Sequence, residues 1–186
     1  MKPQIPWLRV FVEGVVIVGS ILLAFGIHPT EVNAQEPVTL QPSEHCIDHS
    51  DTAVVTFEDA NLEERVRGAL RVDTVEDLTC GRVSGLTVLD AFSAGIESLV
   101  GIQNLTSLTG LRLHFNSITD ISPLSGLRGL TLLWLNDNPG LANIQPLLDN
   151  TGLGAGDRVL LISTNVSCTD VAALEAKGVT MTSDCS

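Results

Sequence analysis

Leu108-Thr-Gly-Leu111-Arg-Leu113-His-Phe-Asn116-Ser-Ile118-Thr-Asp-Ile121-Ser-Pro-Leu124-Ser-Gly-Leu127 is the middle one of three stretches with the same apolar spacing. The stretch before it reads Leu86-x-x-Leu89-x-Ala91-x-x-Ala94-x-Ile96-x-x-Leu99-x-x-Ile102-x-x-Leu105. The stretch after it reads Leu130-x-x-Leu133-x-Leu135-x-x-Asn138 and continues to Leu141, Ile144 and Leu147 after one residue inserted at Pro139-Gly140. Leu89, Leu111 and Leu133 stand 22 residues apart, as do Ala94, Asn116 and Asn138. A fixed period of this length means that one structural unit is used three times. A single unit cannot bury its own apolar face, so the units must stack and share a core.

The L-x-x-L-x-L-x-x-N core within a period of 20–29 residues is the signature of a leucine-rich repeat. The L-x-L spacing has the period of a strand: Leu111 and Leu113 point inward, while Gly110, Arg112 and His114 point out. Asn116 and Asn138 fall at the turn, where an amide inside the coil can satisfy backbone groups that lack a ladder partner. The later isoleucines and leucines, three apart, predict a short helical or 3₁₀ return. Ala94 replaces the turn Asn where the array meets a cap. The extra residue at Pro139-Gly140 is expected to bulge outward, since turns tolerate insertion better than strands. The predicted fold class is an α/β repeat solenoid, a short curved array with a helical N-terminal cap and a disulfide-stapled C-terminal cap.

The chain has 186 residues and a formal net charge of −12. Binding to nucleic-acid phosphates needs clustered Lys and Arg, and the ten present are scattered. No nucleic-acid partner is expected. The acidic excess suits a soluble exported protein. Lys2 and Arg9 precede an apolar run from Val15 to Ile27, and Val32-Asn33-Ala34 offers a small residue before Gln35. That run falls short of the roughly 20 residues needed to span a bilayer. Residues 1–34 therefore read as a signal peptide cleaved before Gln35, with membrane attachment only if the leader is kept. Residues 35–54, with Pro37, Pro42, Glu44, Asp48 and Asp51, read as a polar linker. Residues 55–82 read as the N-terminal cap and 83–150 as the repeats. The degenerate last repeat and C-terminal cap occupy 151–186.

Cys46, Cys80, Cys168 and Cys185 lie two on each side of the repeats. Four cysteines allow three connectivities. Pairing Cys46 with Cys80 and Cys168 with Cys185 would staple each end of the solenoid, where the terminal coil otherwise shows an open apolar face. Closing the loop between Cys168 and Cys185 is worth about 3 kcal/mol by loop entropy. A metal site from His45, Cys46, His49 and Cys80 competes with this. However, Cys46 is adjacent to His45 rather than spaced from it, and an exported protein oxidises its thiols. Neither a metal nor a cofactor is expected.

Phe57 to Leu70 has helical spacing at Leu62, Val66, Ala69 and Leu70. Asp59 or Asn61 can cap it, and Asn61 with Glu64 is close to a capping box. After the repeats, Gly152-Leu153-Gly154-Ala155-Gly156 lacks the G-x-G-x-x-G spacing and the following helix of a phosphate loop, so it reads as a turn. Val159 to Ile162 is then a degenerate fourth strand. Thr169 to Lys177 is a short helix, with Ser167 and Asp170 as a cap pair and Gly178 as its stop. Val179 to Thr182 returns as a last strand.

Leu108 to Leu124, L-x-x-L-x-L-x-x-N-x-I-T-D-I-S-P-L, resembles the 22-residue repeats of bacterial internalins, and the likeness covers about Val83 to Leu147. Val55 to Leu70 resembles the helical cap of exported bacterial repeat proteins. Gly152 to Val159 and Val166 to Val179 resemble a segment that follows such repeats. The resemblance implies a right-handed curved solenoid that binds other macromolecules and carries no catalytic residues.

No nucleophile–base arrangement for acyl transfer is present. Asp90 and Asp137 lie on turns where acids are ordinarily solvating, Asp120 suits a local backbone cap, and so no glycosidase pair is assigned. Asn104-Leu105-Thr106 and Asn165-Val166-Ser167 match the glycosylation sequon, but Leu105 is a core position. Outward residues 22 apart should form rows across neighbouring strands. One row is Asp90, Arg112, Trp134 and Leu160. A second is Phe92, His114, Asn136 and Ile162, and a third is Val88, Gly110, Leu132 and Arg158. The chain has no Tyr and two Trp, one of them in the leader, yet the other Trp points outward beside Arg112. Trp and Arg are enriched at interface hot spots. Asp90, Phe92, Arg112, His114, Trp134 and Asn136 are therefore the candidate binding residues. The expected partner is an unidentified extracellular protein or surface ligand. The alternative is a structural or surface-display spacer with no specific ligand, and a hydrolase ranks last.

Overall fold

The computed structural model describes residues 36–185. The expected leader and its cleavage site lie outside them. The repeats form a five-stranded, wholly parallel sheet in sequential order: β1 (Val88–Asp90), β2 (Gly110–Arg112), β3 (Leu132–Trp134), β4 (Arg158–Leu160) and β5 (Thr180–Thr182). Each of the three repeat strands is three residues long and centred on the first leucine of the L-x-L or L-x-A spacing. The central residues face the core: Leu89, Leu111, Leu133 and, on β4, Val159 are completely buried. The returns are tight helical turns, 3₁₀ at Ile102–Asn104 and Ser122–Leu124 and α-helical at Gln145–Asp149. Their leucines and isoleucines close each coil from the opposite side, and Ile102, Ile121, Leu124, Ile144 and Leu147 are fully buried.

Asparagines hold the corners. Asn116 Oδ1 accepts from the backbone N–H groups of Ala94 and Ile96, both at 3.0 Å. Its Nδ2 donates to the carbonyls of Ala91 at 2.9 Å and Leu113 at 2.8 Å. Asn138 repeats the pattern one coil later, accepting from Ile118 N–H and donating to the Leu113 and Leu135 carbonyls. These are the backbone groups that a strand leaves unpaired when it turns out of the sheet. The inserted Pro139-Gly140 is exposed, as an insertion at a corner should be. Asp120 caps the following turn, accepting from Ser122 N–H and Oγ, both at 2.8 Å.

The N-terminal end differs from the sequence reading in two respects. Residues 36–54 are not a polar linker. Leu40 and Ala53 are buried, Thr39 bridges Val54, and Cys46–Asp48 forms a 3₁₀ turn. The physical reason is the anchoring of Cys46, which is bonded to Cys80 and donates its N–H to Asn104 Oδ1 at 2.7 Å. A segment dense in Pro and acids looks solvated, but two apolar residues and one cross-link suffice to lay it on the cap. The same contact buries Asn104, which is therefore closed as a glycosylation acceptor. Second, the cap helix α1 (Ala60–Leu70) starts three residues later than Phe57, because Phe57 is drawn into the core and Asp59 is the N-cap. Asn61 does not cap. Its Nδ2 crosses to the Gly95 carbonyl at 3.1 Å.

Asp59 also fastens the cap to the first coil. Its Oδ1 accepts from Asn61 and Leu62, and its Oδ2 from Glu97 at 2.7 Å and Ser98 at 3.2 Å. Partial burial alone would raise its pKa. The backbone N–H groups of Glu97, Ser98, Leu62 and Asn61 outweigh that and hold the carboxyl below its ordinary value. Asn116 serves the first coil's amides at Ala94 and Ile96, and this carboxylate serves the next two free ones, at Glu97 and Ser98.

A short helix α2 (Cys80–Val83) completes the cap, and Gln145–Asp149 is α3 in chain order. The last helix, α4 (Cys168–Ala176), has Ser167 as N-cap and stops before Gly178, whose φ of 92° only glycine adopts without strain. Lys177 Nζ donates to the carbonyls of Leu147, Leu148 and Asn150, satisfying the open end of α3. The second disulfide joins Cys168 to Cys185. With both pairs oxidised, Cys46 and Cys80 have no thiolate to offer a metal beside His45 and His49. Among the described residues, no helix is long and apolar enough to cross a membrane.

Candidate binding face

Strand register places the outward residues in the rows expected from the period. Asp90 pairs with Arg112, Arg112 with Trp134, and Trp134 with Leu160, while β5 extends the row to Thr182. Val88, Gly110, Leu132 and Arg158 are likewise in register and continue to Thr180. The second row lies just past the strands. Its alignment follows from the bonds of Ser93 N–H to His114 O, Phe115 N–H to Asn136 O and Asp137 N–H to Ile162 O. Phe92, His114, Asn136 and Ile162 therefore stand side by side.

Five of the six candidate residues are joined by direct contacts between side chains, and Asn136 completes the His114 row. The Arg112 guanidinium lies 5.1 Å from the Trp134 ring centre and donates from Nη1 to Asp90 Oδ2 at 3.3 Å. A cation over an indole face is favourable by about 0.5–1 kcal/mol at a partly exposed site. His114 stacks on Phe92 with centroids 5.2 Å apart and planes inclined by 16°, and presents an edge-to-face contact to Trp134 at 5.3 Å. Asn136 Nδ2 donates to Asp137 Oδ2 at 2.6 Å. Asp90 and Asp137 are thus both engaged locally.

Four side-chain polar atoms among the described residues are buried without a hydrogen-bond partner: Arg112 Nε, His114 Nδ1, Trp134 Nε1 and Asn136 Oδ1. All four belong to candidate residues. Buried polar groups are nearly always paired in folded proteins, and each orphan costs about 1–3 kcal/mol. Elsewhere the fold satisfies even awkward corner amides, so the concentration of orphans here is a property of this face.

Sequence reasoning missed Phe115. It follows His114 at the coil corner, is 57% exposed, and its ring lies 5.7 Å from that of His114. Its φ is +58°, in the left-handed region. The equivalent corners are Ser93, Asp137 and Ser163, at φ values of 48°, 56° and 56°. Ser and Asp sit there at little cost, whereas a bulky aromatic is strained by about 1 kcal/mol or more. A Phe in a column otherwise occupied by Ser and Asp was the available signal. Phe92 at 49% and Ile162 at 37% exposure are the other exposed apolar residues at this side of the strands, the two separated along their row by His114 and Asn136.

Residues 106–149 match the family model described as leucine rich repeats (2 copies). Among solved structures, an internalin (inlF) from Listeria monocytogenes is 32% identical with a TM-score of 0.59, covering 67% of this chain and 36% of that one. An internalin C2 (inlC2) from the same organism is also 32% identical with a TM-score of 0.58, covering 66% of this chain and 53% of that one. The functional domain of InlJ from Listeria monocytogenes, described as including a cysteine ladder, is 27% identical with a TM-score of 0.51, covering 67% and 26%. The chain thus spans about a third of the length of inlF and about half of that of inlC2. No curated protein matches it.

Proposed function

Because the chain carries leucine-rich repeats of the bacterial internalin type, we propose that it is a non-enzymatic exported module that binds another protein through its strand face. The central residues are Trp134, Arg112, Phe92 and His114, with Asp90 and Asn136 at their sides. The observation that carries the reading is the coincidence of all four orphaned polar atoms with these residues. A surface that has shed water from its donors and acceptors without pairing them is poised for a partner to supply the pairing. Four of the exposed large apolar residues, Val88, Phe92, Phe115 and Ile162, border the same face, and such clustering marks contact sites. The two disulfides suit an oxidising, extracytoplasmic location. The spacer reading expects bland Ser, Thr and Asn along the rows, and there Asn136, Thr180 and Thr182 fit it while Arg112, His114, Trp134 and Phe92 do not.

Affinity capture from native material with the full chain and with Trp134→Ala tests this. The wild type is expected to retain a partner that the variant loses, with a loss of about 2 kcal/mol or more in binding and little change in melting. Equal retention by both would move the function away from this face.

A further inference from the structure

We propose that the Cys168–Cys185 disulfide is a thiol-exchange site, which a dithiol opens in the folded chain to release the last strand β5 while the Cys46–Cys80 bond stays closed. The two bonds share one chemistry and differ in their surroundings. Cys80 is buried in the core of the cap, at 3% exposure, and Cys46 is half-buried. Cys168 is exposed and Cys185 is half-buried. Exchange begins when a thiolate reaches a disulfide sulfur, so access decides which bond is attacked first.

The surroundings also decide whether an opened pair closes again. Cys46 N–H donates to Asn104 Oδ1 at 2.7 Å, Gln103 Nε2 donates to the Pro42 carbonyl at 2.6 Å, and Asn104 Nδ2 donates to the Glu44 carbonyl at 3.0 Å. Cys80 N–H reaches the Ala53 carbonyl at 2.8 Å. Those contacts keep Cys46 and Cys80 face to face without help from their bond. The C-terminal pair has a thinner frame. Cys185 N–H bonds locally, to Ser183 Oγ at 3.3 Å, and Asp184 Oδ2 ties the tail to the coil before it by accepting from Ser163 N–H at 2.6 Å. β5 pairs with β4 on one side, at the end of the sheet, and none of its three residues is buried. Such an element opens locally at low cost once its cross-link is gone. Val179, just before it, is buried and keeps α4 seated, which confines the release to residues 180–185.

The exchange proceeds in two steps. A thiolate of the dithiol forms a bond to Cys168 Sγ, the Cys168–Cys185 bond breaks, and its electron pair leaves on Cys185 Sγ, which takes a proton. The second thiol of the reagent, as thiolate, then attacks the reagent's own sulfur in the mixed disulfide and frees Cys168 as a thiol. The reagent is oxidised to its disulfide and the two cysteines are reduced, two electrons in all. Opening trims the strand face from one end. Thr180 and Thr182 leave the rows of Arg158 and Leu160, while Arg112 and Trp134 lie on β2 and β3, two or more strands away.

The test treats the folded full chain with dithiothreitol below its melting range. Iodoacetamide then labels free thiols, peptide masses place the label, and backbone hydrogen exchange follows the strands. Cys168 and Cys185 should label together, about tenfold or more faster than Cys46 and Cys80. In the partly reduced chain the amides of Leu161 and Ser163, which bond to Thr182 O and Asp184 Oδ2, should exchange about tenfold or more faster. The Leu113 amide, bonded to Trp134 O, should exchange as before. Equal labelling of all four cysteines, earlier labelling of Cys46 and Cys80, or no label until the chain melts overturns the proposal. Selective labelling with Leu161 and Ser163 still protected also overturns it, since β5 then stays seated without its bond. Cys168→Ser combined with Cys185→Ser, without reductant, should reproduce the fast exchange at both amides, and protection there would trace the loosening to the reagent instead.

Discussion

Replacing Asn116 by Ala removes a side chain that makes five bonds to backbone at a buried corner, the longest to the His114 carbonyl at 3.5 Å. Their loss is not uniform. The Leu113 carbonyl keeps a donor, since Asn138 Nδ2 also reaches it at 3.0 Å. The Ala94 N–H, the Ile96 N–H and the Ala91 carbonyl lose the partner that Asn116 gave them. Ala94 is only partly buried, so water can reach its amide, whereas Ile96 and Ala91 are fully buried. Two orphans at about 1–3 kcal/mol each, with a smaller contribution from the third, give a loss of roughly 3 kcal/mol. For a chain of this size that lowers the melting temperature by about 6–12 °C. Thermal melting followed by circular dichroism without reductant measures it. A shift under about 2 °C would mean that water replaces the amide completely and that the corner is solvated rather than sealed.

Two further outcomes follow from the caps. Asp59 has a lowered pKa when folded, so its carboxylate contributes stability that is complete above the ordinary Asp value near pH 4 and is lost as pH falls through the lower folded value. The stability difference between wild type and Asp59→Asn, from urea unfolding, should be larger at pH 6 than at pH 2.5, and a constant gap would show that the carboxylate's charge is irrelevant. Replacing Cys168 and Cys185 together by Ser should cost about 3 kcal/mol by the same measurement, and an unchanged midpoint would show that the bond between Ser163 N–H and Asp184 already closes that loop.

The repeats were legible because each structural demand recurs. A leucine every 22 residues means a core position, and an Asn in that register means a corner. The outward rows follow from register alone, because a constant 22-residue step keeps Asp90, Arg112 and Trp134 aligned. What escaped was set by single, unrepeated contacts. Leu40 packs because Cys46, bonded to a partner 34 residues on, draws its segment inward, and no local pattern announces this. Asp59 and Asn61 were equivalent cap candidates by type. Only the position of the first coil, with Glu97 and Ser98 on one side and Gly95 on the other, separates their roles. Phe115 was hidden by its phase: alternation from Leu111 and Leu113 puts it on the inward side, and the left-handed corner turns it out.

The corner asparagines point one way along the array. Asn116 in the second coil serves amides of the first, and Asn138 in the third serves Ile118 of the second, while among these bonds none runs in reverse to an amide of a later coil. Each coil is therefore completed by its successor. Peeling a coil from the C-terminal end strands polar groups in the one beneath it, so unfolding from that side meets a penalty at every step. Cooperativity in such a stack has a direction. The position after Asn138 is held by Thr164, which bonds its own coil at the Leu161 carbonyl. Just beyond it, Cys168 and Cys185 lock the end on which all the earlier coils depend.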